Sequence, residues 1–180
     1  MHITSRDNSL LRHVRAVRDG KEDASIYVEG LRLSEEALLS QLSIEAVVYS
    51  DQLAHKEKAA DLIDQLSSVA HRSASVSEKL LESISYTRTP QGIVVIAQRP
   101  PAGKVILDKR VDQNSLVVLL HQINNPVNVG AILRTAEAAG VDAIIATEHT
   151  SDPFSPNHFA APWVRHFVCR SGPVRVMTKR

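Results

Sequence analysis

An arginine, two asparagines and a glycine follow one another at short spacing in the middle of the chain, together with a proline and a threonine. The set comprises Asn125, Pro126, Asn128, Gly130, Arg134 and Thr135. A guanidinium holds phosphate oxygens with a planar pair of N–H groups, a geometry that lysine lacks. A capped helix with a solvated arginine is the simpler interpretation of each residue alone. The ordered set instead favours a site that handles a phosphate or a ribose.

A strand and a helix must position this set. The apolar run Leu116–Leu120 predicts a strand, and the spacing of apolar residues predicts a helix over 128–139. A second strand is expected over Ala143–Ala146. The order strand, helix, strand predicts a parallel βαβ unit with a right-handed crossover.

The helix itself predicts where the arginine lies. Asn128 is the expected N-cap, and Gly140 is expected to end the helix in a left-handed conformation. Arg134 then stands about one turn from a helix N-terminus, where anions are favoured, and on the exposed face. The opposite, buried face is predicted to carry Ile132, Leu133, Ala136 and Ala139.

These residues carry a family resemblance. The segment Asn125–Ala136 resembles the first signature motif of the SpoU (TrmH-like) branch of the SPOUT RNA methyltransferases. The first half of the chain resembles the substrate-binding domain that is often fused ahead of that catalytic domain. The matching pieces are Ile3-Thr4-Ser5, Val28-Glu29-Gly30 and Thr89-Pro90-Gln91-Gly92-Ile93-Val94.

The resemblance implies a reaction and its cofactor. The reaction is transfer of a methyl group from S-adenosylmethionine to a ribose 2′-hydroxyl of structured ribosomal or transfer RNA, by a homodimer. Arg134 matches the catalytic arginine of the family, and Asn128 matches the motif asparagine that shapes the loop around it. Asn125, Pro126, Gly130 and Thr135 complete this motif loop. The residues that bind the cofactor stay unknown.

The resemblance and the residue pattern together predict an α/β protein of two parts. Residues 1–97 are expected to form a small α/β/α domain of RNA-binding type, 98–114 a proline-containing linker, and 115–157 the first half of a SPOUT trefoil-knot domain. Within the first part we expect helices from Leu10 to Val17, from Leu33 to Leu42 with Ser34 as cap, from Ala59 to Leu66 and from Val76 to Ile84, and strands Ile26–Val28, Ile44–Tyr49 and Ile93–Ile96.

Basic side chains of the N-terminal segment form a second candidate site. Arg6, Arg12, Arg15 and Arg18 are predicted to contact RNA phosphates, with Glu29 and Gly30 as further RNA-binding candidates. A solvated helix face is the alternative for the arginines, and a strand-end turn is the simpler interpretation of the Glu-Gly pair.

Composition excludes several classes of protein. Lys plus Arg number 21 against 20 Asp plus Glu, so the net charge of the chain does not by itself indicate a nucleic-acid partner. One cysteine and eight histidines without ligand spacing predict neither a disulfide nor a metal site. No apolar run is long enough to span a membrane, and no signal peptide is evident. We expect a cytoplasmic protein without a membrane partner.

The final residues, 158–180, differ from the rest of the chain. They are basic and aromatic, and the two later motifs of the family, which supply the S-adenosylmethionine pocket, are missing. Back-translation of 161–165 in a shifted frame permits Ser-Met-Gly-Ala, the family's continuation, so we hypothesise a frameshift near codon 158. A natural tail that contacts RNA through Trp163 and arginines is the alternative.

The missing motifs bear directly on activity. We expect a methyltransferase by descent that is inactive as this chain. A module that binds RNA without catalysis and a non-functional frameshift product are the two other hypotheses. The target RNA and the oligomeric state stay open.

Overall fold

Two units of α/β structure make up the part of the chain that the structure describes. The computed structural model describes residues 1–101 and 113–154, and the backbone of 167–171. One compact unit contains Met1–Arg99, and a second contains Pro100–Pro153. Most of the predicted linker 98–114, and most of the tail 158–180, lie outside the described residues.

The first unit alternates strands and helices along the chain. Its elements are β1 (His2–Ile3), α1 (Ser9–Arg18), β2 (Ser25–Glu29), α2 (Leu31–Leu39), β3 (Ile44–Ser50), α3 (Asp51–Ala54), α4 (Glu57–Val69), β4 (Arg72–Val76), α5 (Glu78–Ile84) and β5 (Ile93–Gln98). The strands form one sheet in the order β1-β4-β3-β5-β2. β5 runs antiparallel to its neighbours β3 and β2, and the other pairs are parallel.

Alternation along the strands gives this sheet two apolar faces. Tyr27, Val48 and Ile96 face the side where α1 and α5 pack, in one buried cluster with Leu11 and Leu81. Their strand neighbours, such as Val28 and Val95, are also fully buried and point the other way, where α2 and α4 contact the sheet. The predicted α/β/α layer is therefore confirmed, because each face of the sheet is covered by helices.

The second unit is a parallel βαβ unit, as predicted. It contains β6 (Val117–Leu120), α6 (Pro126–Ala138) and β7 (Ala143–Thr147), and β8 (Phe167–Ser171) adds a third parallel strand. Val117 pairs with Ala143 and Leu120 with Ala146. A strand over 167–171 was not predicted, because that segment was interpreted only as part of an atypical tail.

Three details of the predicted elements are wrong. Val76 ends β4 and does not begin a helix; Ser77 caps α5 instead. The serine-rich strand β4 was missed because Arg72–Val76 carries few apolar residues. Ser34 does not cap α2, since the helix begins at Leu31 and the Ser34 hydroxyl donates to the Gly30 carbonyl at 2.8 Å.

Candidate functional site

The junction between β6 and α6 places the motif residues differently from the prediction. Asn125, and not Asn128, is the N-cap of α6: its side-chain oxygen accepts from Val127 N at 2.9 Å. Pro126 begins the helix, where its missing N–H costs nothing. Asn128 therefore lies in the first turn and is exposed to solvent. Its amide is not used as a cap and is free to contact a ligand.

Arg134 is exposed on α6, as predicted, but it lies further along the helix. It is the ninth residue of Pro126–Ala138, so its Cα is about 12 Å from the helix start. The expectation of one turn followed from placing the cap at Asn128. The helix N-terminus and the guanidinium are consequently two separate anion-attracting features. Thr135, the next motif residue, bonds the Ala131 carbonyl at 3.1 Å and is also exposed.

The buried face of α6 differs from the predicted one in two residues. Leu133 and Ala136 are buried, with Val129 and Gly130, whereas Ile132 is only half-buried and Ala139 is exposed. Gly140 follows the helix with φ of 70°, which confirms the predicted left-handed end.

The loops that leave β6 and β7 are bonded to each other. Thr147 Oγ1 lies 3.2 Å from both His121 Nδ1 and Gln122 N. Ser151 Oγ donates to the Asn124 carbonyl at 2.6 Å, and Thr150 Oγ1 donates to the Leu120 carbonyl at 3.1 Å. Parallel α/β sheets bind ligands at this carboxyl edge. The two loops therefore hold the motif segment at the edge where a site is expected.

These contacts also test whether the described residues could hold S-adenosylmethionine. The hydroxyls of Thr147, Thr150 and Ser151, which could otherwise bond the cofactor, all bond the neighbouring loop. These three side chains could therefore bind S-adenosylmethionine only by sharing or exchanging the bonds that they now make between the two loops.

The four arginines predicted to bind RNA separate into two pairs. Arg6 and Arg12 are exposed. Arg15 is half-buried, and its Nη2 donates to the Arg6 carbonyl at 2.8 Å. Arg18 donates to the carbonyls of Ser83 and Ser85 at 3.1 and 3.2 Å, and so joins α1 to the end of α5. Only the first pair thus presents its guanidinium freely enough for phosphate.

Asp19 contributes to the placement of Arg18. Arg18 Nε donates to Asp19 Oδ1 at 2.8 Å, and this hydrogen bond lowers the pKa of Asp19. The guanidinium is held on both sides, which gives Arg18 a structural use within the unit.

Glu29 and Gly30 lie together at the carboxyl end of β2. The Glu29 carboxylate accepts from the backbone of Tyr86 and Thr87 and from two hydroxyls, and it does not point freely into solvent. Gly30 is buried with φ of 100°, and a Cβ there would lie 2.8 Å from Gln91 Oε1. Gln91 Oε1 in turn accepts from Leu31 N at 3.0 Å.

Sequence reasoning did not identify Thr87 or Gln91 as functional residues. The segment Thr89–Gly92 was quoted only as part of the resemblance. The available signal was that both Val28–Gly30 and Thr89–Val94 matched the family. The antiparallel pairing of β2 with β5 brings these two segments side by side.

Two further kinds of feature bear on function, namely clusters of metal-ligating side chains and helices that could span a membrane. Within 1–101 and 113–154, no group of three or more His, Cys, Asp or Glu side chains could hold a metal ion. No helix among the described residues is long and apolar enough to cross a membrane.

Two family models match the chain. Residues 10–95 match the MRM3-like substrate binding domain, and residues 115–167 match the SpoU rRNA Methylase family. The second match runs beyond the predicted end of the partial domain at 157. The chain thus resembles an MRM3-like substrate binding domain followed by a SpoU rRNA Methylase unit, and each match by itself covers less than half of the 180 residues.

Several curated relatives of the chain are named rRNA methyltransferases. The chain is 26% identical over 174 residues to the 23S rRNA (guanosine(2553)-2'-O)-methyltransferase RlmP of Bacillus subtilis, covering 91% of this chain and 64% of that protein. It is 28% identical over 162 residues to human rRNA methyltransferase 3, mitochondrial, covering 89% of this chain and 37% of that protein. The chain therefore spans less than two thirds of the length of these relatives.

Solved structures show the same fold. An AdoMet-bound rRNA methyltransferase from Sinorhizobium meliloti superposes with a TM-score of 0.76 at 28% identity, over 96% of this chain and 65% of that one. The SpoU methyltransferase AviRb from Streptomyces viridochromogenes, in complex with AdoMet, gives a TM-score of 0.75 at 19% identity, over 92% and 64%. The first of these solved relatives supports both fold and family, and the second supports the fold.

Proposed function

We propose that the chain carries the RNA-recognition unit and the first catalytic motif of an RNA 2′-O-methyltransferase that uses S-adenosylmethionine, with ribosomal RNA as substrate. The main observation for this proposal is the motif Asn125–Ala136 at the carboxyl edge of a parallel βαβ unit. Along the sequence, this unit follows the match to an MRM3-like substrate binding domain. The named relatives support ribosomal RNA over transfer RNA as the substrate.

Arg134 is the residue proposed to act on the RNA. Its side chain is exposed, and no hydrogen bond or ion pair joins the guanidinium to another residue that the structure describes. A ribose hydroxyl is a weak nucleophile, and it must lose its proton as the new C–O bond forms. A guanidinium that holds the adjacent phosphate would also stabilise negative charge on the 2′-oxygen. Asn128, freed from capping, is proposed to contact the same backbone.

The polypeptide of 180 residues is proposed to bind RNA without completing methyl transfer. The hydrogen bonds that engage Thr147, Thr150 and Ser151 between the two loops support this proposal. A homodimer and a cytoplasmic location are further proposals; they rest on the family and on the bacterial relatives, although mitochondrial relatives exist.

The test measures RNA binding and methyl transfer on the same preparation. Fluorescence anisotropy with labelled 23S rRNA fragments should show binding that weakens steeply as salt rises. Transfer of tritium from labelled S-adenosylmethionine should stay at background, with an active rRNA methyltransferase as positive control. Loss of RNA binding at low salt would contradict the proposal, and strong methyl transfer would show that this polypeptide already holds a complete site.

Arg134→Ala tests the residue assignment within the same assay. Removing one phosphate contact should lower the salt dependence of binding by about one unit of slope. Arg134→Lys keeps the charge and should retain that slope. Arg72→Ala is the matched control, because Arg72 is exposed at the start of β4 in the other unit.

A further inference from the structure

The segment between α5 and β5 is fastened to the sheet by Glu29. Glu29 Oε2 accepts from Tyr86 N at 2.7 Å and from Thr87 N at 3.3 Å, and Oε1 accepts from the Thr87 hydroxyl. Beneath it, the Tyr27 hydroxyl lies 2.9 Å from Glu29 Oε2 and 3.0 Å from the Ile84 carbonyl. Burial, and then the charge of Glu29, raises the pKa of Tyr27 far above its ordinary value, so this donor stays protonated.

The other end of the segment is fastened by Gln91. Its Oε1 accepts from Leu31 N at 3.0 Å, at the start of α2. Gly30 lies directly against Gln91, where any Cβ would collide with Oε1. The backbone from Tyr86 to Gln91 is thus held at both ends, on the carboxyl edge of β2. A loop held in this way loses little conformational entropy when it binds a ligand.

Between the two anchors the side chains point into solvent. Tyr86 is 48% exposed although its backbone N–H is fixed by Glu29. Thr87, Arg88 and Thr89 follow it and are exposed as well. The loop therefore presents an aromatic ring, the Thr89 hydroxyl and a guanidinium between its two anchored ends, whereas the Thr87 hydroxyl is bonded to Glu29.

The surroundings of Tyr86 favour nucleic acid over an apolar partner. Other large exposed apolar side chains of this unit are Met1, Leu39 and Val69. Each precedes the amino end of a strand, so they belong to the opposite edge of the sheet. Tyr86 is consequently a single aromatic ring among polar and cationic groups, and not part of a continuous apolar patch. Such a ring stacks on bases, and such a cation binds phosphate.

We infer that the loop Tyr86–Gln91 is an RNA-contacting surface that takes one unpaired nucleotide, with Tyr86 stacking on its base and Arg88 on a neighbouring phosphate. Glu29 is a positioning residue for this surface and does not touch RNA. The inference rests on the proposed RNA-binding function and adds the feature recognised, an unstacked base in a loop or bulge.

The experiment compares two RNA probes of equal length, each labelled with fluorescein. One is a hairpin with a seven-nucleotide single-stranded loop, and the other is a blunt, fully paired duplex. Binding of the full chain is measured by anisotropy for the wild type and for Tyr86→Ala and Tyr86→Phe. Stacking on one base predicts an affinity for the hairpin that falls about 5- to 150-fold in Tyr86→Ala. Tyr86→Phe keeps the ring, and both variants should bind the duplex like the wild type.

Arg88 and Glu29 are tested by their own comparisons. Arg88→Ala should reduce the salt slope by about one, whereas Arg72→Ala at the other edge should not. Glu29→Gln removes one acceptor and should weaken hairpin binding. Combined with Tyr86→Ala it should add little, because Glu29 acts through the placement of the ring.

The outcomes separate the two proposals. Equal hairpin affinity of wild type and Tyr86→Ala, with unchanged circular dichroism, would overturn the stacking surface while RNA binding itself stands. Additive losses in the double variant would overturn the positioning role of Glu29. If the wild type binds neither probe at low salt, the proposed function fails first, and the stacking surface falls with it.

Discussion

The sheets of the two units are built from similar apolar strands but are covered to different extents. In the first unit the sheet carries helices on both faces, and β5 from Ile93 to Ala97 is fully buried. In the second unit β6 pairs with β7 alone among the described strands, and Leu116 and Leu119 are each 51% exposed. On α6, Val127 is exposed as well.

In the first unit helices cover both faces of the sheet, whereas the second unit leaves apolar side chains of β6 and α6 exposed. Burial of apolar side chains is the main source of stability, so the first unit is expected to be the more stable of the two. An exposed apolar strand edge is a surface where further structure can pair. The first unit can therefore serve as a rigid body, whereas the second unit depends more on what covers β6.

Hydrogen exchange should show the largest difference between the units. Amides of β3 and β5 are expected to exchange only through global unfolding, at a cost of about 5–15 kcal/mol. Amides of β6 should exchange at least about a hundredfold faster through local opening. The measurement is exchange followed by mass spectrometry of peptides from both units. Equal protection in β5 and β6 would remove the contrast.

Replacing one leucine of each unit by alanine should give the second-largest difference between the units. Leu66 is fully buried on α4, so Leu66→Ala should lower the free energy of unfolding by about 2–5 kcal/mol. Leu119→Ala should change it by less than about 0.5 kcal/mol, because half of that side chain already meets solvent. Urea unfolding followed by circular dichroism measures both. A large loss at Leu119 would mean that the outer side of β6 is covered in solution.

Two glycines with positive φ offer a smaller and sharper comparison. Gly30→Ala should cost about 1–3 kcal/mol, because φ is 100° and the new Cβ meets Gln91 Oε1 at 2.8 Å. Gly140→Ala has φ of 70° and no atom within 4 Å, so about 1 kcal/mol is expected. Thermal unfolding compares the two variants. Equal losses of stability in the two variants would mean that the contact between Gly30 and Gln91 adds nothing measurable to the cost of Gly30→Ala.

The helix caps should give the smallest effects. Asn8 Oδ1 accepts from Leu10 N at 2.8 Å and Asn125 Oδ1 from Val127 N at 2.9 Å, one cap in each unit. Asn8→Ala and Asn125→Ala should each cost about 1 kcal/mol in differential scanning calorimetry. Asn128→Ala serves as the matched control and should stay within about 0.5 kcal/mol. A larger loss of stability for Asn128→Ala than for Asn125→Ala would mean that Asn128 is the N-cap, as predicted from sequence.

Much of the fold was predictable because the apolar periodicity is strong. The strands around Ile26, Ile44, Ile93 and Val118 and the helix around Leu133 all lie where the pattern placed them. β1 and β4 were missed because a short or serine-rich strand carries almost no periodic signal. Cap positions failed at Ser34 and Asn128, where several polar residues near a helix start compete and only backbone geometry decides.

The candidate site was predictable in part. Residue types and order identified the motif Asn125–Ala136 and the exposure of Arg134. They did not show that Arg15 and Arg18 bond backbone carbonyls, since those carbonyls lie far along the chain or outside any pattern. Glu29 was a candidate RNA contact, yet its carboxylate holds the Tyr86–Thr87 backbone.

The sequence by itself determined the resemblance to SpoU methyltransferases, the two α/β units and the helix that exposes Arg134, because local periodicity and motif order are properties of neighbouring residues. Only the tertiary structure decided what Glu29, Gln91 and Arg18 do. Their partners lie 58, 60 and 67 residues away at Thr87, Leu31 and Ser85, and only the pairing of β2 with β5 and the packing of α1 on α5 bring them within hydrogen-bonding distance.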